Sequence, residues 1–125
     1  MMNQDILEKL LKAFGKAYFK ADKSMLEACT SSDFEWHQHS GNIPTGTIIK
    51  GATAVCEEIS RRKRDWKEVV YEDFETFYAE SLIVSKFMVS GINESNMSFR
   101  VRAVDLYSVA DGKISRKDSY WKQIT

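Results

Sequence analysis

Residues 97–124 read MSFRVRAVDLYSVADGKISRKDSYWKQI, two long runs rich in β-branched and aromatic residues joined by Ala110-Asp111-Gly112, a tight-turn signal between antiparallel strands. In the first run Val101, Ala103, Asp105, Tyr107 and Val109 alternate onto one face, so one carboxylate stands among apolar neighbours that disfavour its charged form. Counting the second run from Gly112-Lys113-Ile114 turns Lys117, Ser119 and Trp121 inward and Ile114, Arg116, Asp118 and Tyr120 outward. A single bulge would reverse that parity and bring Asp118 and Tyr120 inside. With the first parity, Asp105 and Lys117 meet across adjacent strands as an ion pair inside an apolar setting. With the second, Asp118 becomes the candidate base.

Working outward, residues 66–78 and 81–92 have the same character and are set off by Ala79-Glu80 and Asn93-Glu94-Ser95-Asn96. The four runs predict an antiparallel meander of long strands. The N-terminal half changes period. From Gln4 to Lys20, Ile6, Leu7, Leu10, Leu11, Phe14, Ala17 and Tyr18 recur at three- and four-residue steps between charged positions, which predicts an amphipathic helix. Asp22 offers an N-cap to a short second helix through Met25, Leu26 and Cys29, ending in Thr30-Ser31-Ser32. Residues 33–39 alternate as a strand, with Phe34, Trp36 and Gln38 on one face and Glu35, His37 and His39 on the other. Residues 40–50 hold Gly41, Pro44 and Gly46 and read as a long loop; residues 52–64 return to helical spacing through Val55, Cys56 and Ile59.

Helices segregated from a sheet with short sequential connections define an α+β class. Strands of about twelve residues twist too strongly to lie flat, so the sheet is expected to curl around the first helix and leave a hollow for a small molecule. The 125 residues suit one domain, 1–125, able to bury a core without metal or disulfide, and no cofactor is implied. Eighteen basic and eighteen acidic residues cancel, which removes the positive field used for nucleic acid. No window has the apolar length of a membrane span. The two cysteines, Cys29 and Cys56, fall in helical stretches, and the start of the chain runs into a charged helix rather than a secretory signal. The expected compartment is a reducing cytoplasm.

The order of elements, Asp33-Phe34-Glu35-Trp36-His37 after two helices, Gly51 opening the third helix, and Val104-Asp105-Leu106-Tyr107 followed by Asp111-Gly112-Lys113-Ile114 resemble the nuclear transport factor 2-like superfamily, in its SnoaL-like and ketosteroid isomerase-like branch. The resemblance spans nearly the whole chain. It implies a cone-shaped barrel of curved, mainly antiparallel sheet wrapped around the N-terminal helix (a cystatin-like fold), a pocket between helix and sheet, and a homodimer joined through the outer sheet face. In ketosteroid isomerases a helix-one tyrosine and a late-strand aspartate form an oxyanion hole, while an aspartate ending the first strand moves the proton. Asp105 matches the late-strand acid. The base position falls on Gln38, which cannot accept a proton at neutral pH, and the tyrosine position on Phe14. Tyr18, one turn on, offers either a displaced phenol or a core filler. The last-strand aspartate of SnoaL-like cyclases falls on Ser119.

Two readings of function follow, both for a small, largely apolar organic ligand. In one, Asp105 leads acid–base chemistry of isomerase, cyclase or hydrolase type, with Tyr18, Trp36, His37, Gln38, Tyr107, Lys117, Ser119 and Trp121 binding or assisting. In the other, the pocket only binds, or the chain is a dimeric interaction module with a filled interior, because the resembling enzymes' catalytic set is incomplete here. His37 and His39, two apart on a strand, share a face as a metal site would want but lack an evident third ligand, and no metal is assigned. The cluster Arg61 to Arg64 reads as a solvated helix end. Arg100, Arg102, Val104 and Leu106 share the outer face proposed for the dimer seam.

Overall fold

The structure of the chain is a computed structural model that describes residues 3–124. Helix α1 (Gln4–Lys20) begins where the Asn3 side chain accepts a hydrogen bond from the Ile6 amide and ends at Ala21 in the left-handed conformation. Helix α2 (Lys23–Cys29) starts at the Asp22 cap, whose carboxylate accepts from the Met25 amide at 2.9 Å. Strand β1 (Thr30–His37) follows, then a short strand β2 (Ile48–Lys50), helix α3 (Gly51–Asp65), and strands β3 (Lys67–Tyr78), β4 (Leu82–Ile92), β5 (Ser98–Ala110) and β6 (Lys113–Trp121).

The six strands form one mixed sheet in the order β2-β1-β6-β5-β4-β3. The C-terminal four are the expected meander, and β1 docks parallel to β6 while β2 folds back antiparallel on β1. Shifts of register in β3 and between Ser108 and Val109 bend the long strands, which is how such a sheet curves while β2 and β3 remain open edges. Two local readings change. The strand starts at Thr30 rather than after Ser32, with the Thr30 hydroxyl held on the Leu26 carbonyl at 2.7 Å. The end of the presumed loop is β2, because pairing with Glu35, Trp36 and His37 supplies partners that local composition does not reveal.

Gly46 closes the turn between β1 and β2. At φ +72°, an added Cβ would lie 1.9 Å from the Gln38 carbonyl oxygen, so only glycine fits. That turn is pinned by Gln38 N–H to the Thr47 carbonyl and Thr47 N–H to the Ser40 carbonyl, both at 2.9 Å.

Two apolar clusters fill the space between sheet and helices. One gathers Leu7, Phe14, Leu26, Phe34, Ile59 and Ile114 beneath the helices; the other holds Phe87, Val89, Val101 and Ala103 under β4 and β5. The first of these is the larger and contains most of the fully buried side chains. No helix is long and apolar enough to cross a membrane among the described residues.

Candidate functional site

Between the two clusters lies a cavity of about 200 Å³ walled by α1, the inner face of the sheet and one side chain of α3. Strand alternation on β5 points Asp105 and Tyr107 into it, and β4 adds Ser85 and Phe87. The last strand settles its parity in an unexpected way. Ile114 is fully buried and faces the core, although simple alternation from Gly112 puts it outside. Val109 pairs with Ile114 and Ser108 with Arg116, so Ser115 is an extra residue bulged out of the ladder. The strand therefore faces inward at Ile114 and again at Lys117, Ser119 and Trp121, while Asp118 and Tyr120 stay outside and hydrogen-bond each other at 2.8 Å.

Seven of the nine sequence-derived candidates line this cavity: Tyr18, Trp36, Asp105, Tyr107, Lys117, Ser119 and Trp121. Gln38 and His37 do not. The Gln38 amide donates to Glu58 on α3 at 2.8 Å, and the His37 ring pairs with Glu35 at 2.9 Å on the side of the sheet beneath the 38–47 turn. Strand pairing of β1 ends at His37, so alternation no longer governs the residues beyond it. His39 consequently turns inward and stacks on Trp121, rings 3.6 Å apart and 5° from parallel. The two histidine rings thus have different partners, Glu35 for His37 and Trp121 for His39, contrary to the shared face that alternation suggested, although both residues border the 38–47 turn.

At the floor, Lys117 Nζ lies 4.0 Å from Asp105 Oδ2, and both side chains are less than a tenth exposed. The Tyr107 hydroxyl reaches the same Oδ2 at 3.4 Å. Asp105 Oδ1 and the Lys117 ammonium have no hydrogen-bond partner among the described residues, yet neither is a sealed, unsatisfied atom; both open onto the cavity. The ammonium rests against aromatic faces instead, 3.6 Å from the Tyr18 ring centroid and 4.9 Å from that of Trp36. Burial pushes the Lys117 amine below its ordinary pKa, with the Asp105 charge opposing.

The surrounding groups are neutral donors. Burial pushes the Tyr18 and Tyr71 phenols up to about 12, and Tyr107 well above its ordinary value, where the Asp105 charge adds to the effect. Burial, reinforced by the charge of Arg62, takes His39 down to about 4, so its imidazole is uncharged at neutral pH. Trp36 Nε1 donates to Ser119 Oγ at 3.1 Å, which leaves the serine proton free to point elsewhere.

Arg62 is a cavity-lining side chain, although the basic cluster at the end of α3 reads as solvated. Its side chain is 12% exposed, with the guanidinium 4.7 Å from the Trp36 ring centroid and 4.6 Å from that of Trp66. The signal was present: Arg62 continues the buried face of α3 set by Val55 and Ile59, at the next helical step. Behind it Glu58 accepts from Arg62 Nε at 3.2 Å, from Arg61 at 2.8 and 2.9 Å, and from Gln38. Burial raises the Glu58 pKa, but those hydrogen bonds and the two arginine charges outweigh it and hold the carboxyl at about 2.

No family model matches the chain, and neither does any curated protein. Solved structures do match. A nuclear transport factor 2-like protein from Burkholderia xenovorans LB400 superposes with a TM-score of 0.81 at 22% identity, over 98% of this chain and 93% of that one. A protein from Xanthomonas campestris pv. campestris provisionally assigned as a polyketide cyclase gives 0.73 at 15% identity, over 97% and 93%. A protein with a ketosteroid isomerase-like fold from Catenulispora acidiphila, in complex with trimethylamine, gives 0.70 at 14%, over 90% and 85%. The chain therefore has the nuclear transport factor 2-like, cystatin-like α+β fold that the order of elements and the strand motifs suggested.

Proposed function

We propose that the cavity takes a small, largely apolar organic molecule and moves a proton on a carbon next to a carbonyl, as an isomerase or cyclase does. The observation that carries this reading is the buried Asp105–Lys117 pair, whose charged atoms stand 4.0 Å apart with hydrogen-bonding capacity left over on both. At that separation the pair is not closed to a hydrogen bond, so both groups keep capacity for a ligand. Asp105 Oδ1 accepts the proton from the substrate carbon, and the bonding electrons move to the carbonyl oxygen. The Lys117 ammonium, made more acidic by burial, stabilises or protonates that oxygen. Return of the proton to a different carbon, or attack of the enolate carbon on an electrophile in the same molecule, completes an isomerisation or a cyclisation. Tyr107 and Ser119 orient the reactants, and the aromatic walls exclude water.

The cavity's volume lies below the roughly 300–1,000 Å³ of drug-sized pockets, which suits a substrate with one or two rings at most. Non-catalytic binding is the second reading, favoured by Phe14 and Gln38 standing where the resembling isomerases carry a tyrosine and a base. An open cavity supports ligand use over an interaction module with a filled interior. We place the protein in a reducing compartment on the strength of its free Cys29 and Cys56. We also propose a homodimer through the outer sheet face, where Phe77, Val84 and Leu106 stand side by side in register on β3, β4 and β5 and Phe77 is half exposed.

The test is deuterium uptake by NMR, in heavy water, at the α-carbons of a panel of small cyclic enones and β-diketones. Wild type accelerates uptake for at least one compound, and Asp105→Asn, verified as folded by near-ultraviolet circular dichroism, loses it. Binding of a panel compound without any protein-dependent uptake would leave the cavity as a binding site alone.

A further inference from the structure

We infer that the ligand is an anion, an apolar ring bearing a carboxylate, and that Arg62 is the residue that selects it. The inference rests on the reading of the cavity as a ligand site and adds the chemical class. Three charged side chains line the cavity: Arg62, Lys117 and Asp105. Asp105 answers Lys117 at 4.0 Å. Arg62 has one carboxylate within 4.0 Å among the described residues, Glu58, which meets its Nε edge and also takes two hydrogen bonds from Arg61. Arg61 in turn has Asp65 and Glu94 near it on the solvent side, at 3.9 and 3.8 Å. His39 and Tyr18, two other ionisable groups beside the arginine, are neutral. The cavity lining thus presents two cations and one carboxylate, with Glu58 behind the guanidinium on its Nε edge, and Nε makes the only hydrogen bond of Arg62 to a carboxylate among the described residues, so the terminal nitrogens remain for a ligand.

The arginine is also built as a receptor. Two indoles hold its guanidinium, Trp36 on the cavity wall and Trp66 where β3 begins, and Glu58 fixes its Nε edge. Such clamping removes the rotamer freedom that an exposed arginine loses on binding, and a planar fork matches a carboxylate in two parallel hydrogen bonds. A cationic ligand is disfavoured on the same grounds, since the aromatic faces that would receive it already carry Lys117 and Arg62. Both cations lie within 5 Å of the Trp36 ring centroid, Arg62 Cζ at 4.7 Å and Lys117 Nζ at 4.9 Å. One small molecule therefore reaches the arginine with its carboxylate while its carbonyl sits at the Asp105–Lys117 floor, and Tyr71 and Phe87 cover the ring between.

The experiment compares 3-oxocyclohexane-1-carboxylate with its uncharged carboxamide by isothermal titration calorimetry, on wild type, Arg62→Met and Arg62→Lys. Wild type should bind the carboxylate at least about tenfold more tightly than the carboxamide, the worth of one charge-assisted pair. Arg62→Met should lose that preference, and Arg62→Lys should restore part of it. The wild-type comparison needs no variant, so a misfolded Arg62→Met leaves it decisive. Equal affinity for the two probes, or a preference that survives in folded Arg62→Met, overturns the choice of an anionic ligand and leaves the cavity as a ligand site. Binding of neither probe overturns the inference, and proton-exchange activity on the uncharged panel compounds then tells whether the reading of the site falls with it.

Discussion

Replacing Asp105 by Asn leaves Lys117 as a buried amine with aromatic faces for company and no countercharge. Breaking one side of a buried ion pair costs about 3–5 kcal/mol in general. Here the cost has a ceiling, because the amine escapes by releasing its proton. For an amine with an ordinary pKa of 10.5, release costs about 1.4 kcal/mol per pH unit below that value, hence about 5 kcal/mol at pH 7 and about 2 kcal/mol at pH 9. The Tyr18 and Trp36 faces return part of it, of order 1 kcal/mol for each close cation–π contact. We therefore expect Asp105→Asn to be less stable than wild type by about 3 kcal/mol at pH 7, and the deficit to shrink to no more than about 2 kcal/mol at pH 9.

The direction follows from proton linkage. The folded variant holds Lys117 at a pKa below its unfolded value, so the unfolded chain binds more protons between the two and stability rises with pH in that window. Burial, the main cause of the raised tyrosine pKa values, is shared by both proteins, so tyrosine titration contributes little to the difference up to pH 9. Urea unfolding followed by tryptophan fluorescence at pH 7 and pH 9 measures the gap at each pH. A gap that stays constant or widens with pH would show that Lys117 does not carry an uncompensated buried charge in the variant, and the electrostatic account of the floor would be wrong.

Other perturbations probe the supports of the site. Gly46→Ala forces a Cβ toward the Gln38 carbonyl at a positive φ and should cost about 2 kcal/mol or more in thermal unfolding; a neutral result would mean that the β1–β2 turn rearranges freely. Glu58 is held at about 2 in the folded chain against an ordinary 4.5, so it stabilises the fold above pH 4.5 and that contribution drains away as pH falls toward 2. The urea midpoint of Glu58→Gln should accordingly vary less than that of wild type between pH 6 and pH 3, and equal variation would remove Glu58 from the acid sensitivity. Leu106→Glu should convert the proposed dimer to monomer in sedimentation velocity at micromolar concentration; a wild type that already sediments as a monomer refutes the seam.

The elements of this fold were legible because each follows a local rule. Helix α1 is bounded by Asn3 and Lys20 as its periodicity suggests, and the four C-terminal strands differ from their predicted limits only at their ends. What escaped the sequence is long-range. Strand β2 exists because β1 is there to pair with it, and two isoleucines and a lysine after a turn with Gly41 and Gly46 announce nothing by themselves. His39 reads as a strand residue sharing a face with His37 until the pairing of β1 is seen to stop at His37 and the His39 ring is seen to stack on Trp121. Arg62 was misread for a different reason. Four consecutive basic residues at a helix end suggest solvent, yet helical phase assigns each a different direction, and only Arg62 lies on the face of Val55 and Ile59. A charge cluster has to be divided by phase before it is called a surface.

The bulge at Ser115 ties the sequence to the site most directly. Ile114 must face inward to close the helix-side cluster, where it is fully buried. In an unbroken strand that requirement would point Arg116, Asp118 and Tyr120 into the cavity and place Lys117 outside. One residue looped out of the ladder meets the packing demand at Ile114 and still delivers Lys117, Ser119 and Trp121 to the cavity. The bend costs ladder hydrogen bonds, and its return is the positioning of an ammonium against Asp105 rather than a second carboxylate. The same five-residue stretch from Ile114 to Asp118 thus supports two chemistries, a lysine-assisted acid or a pair of carboxylates, and the single extra residue selects between them.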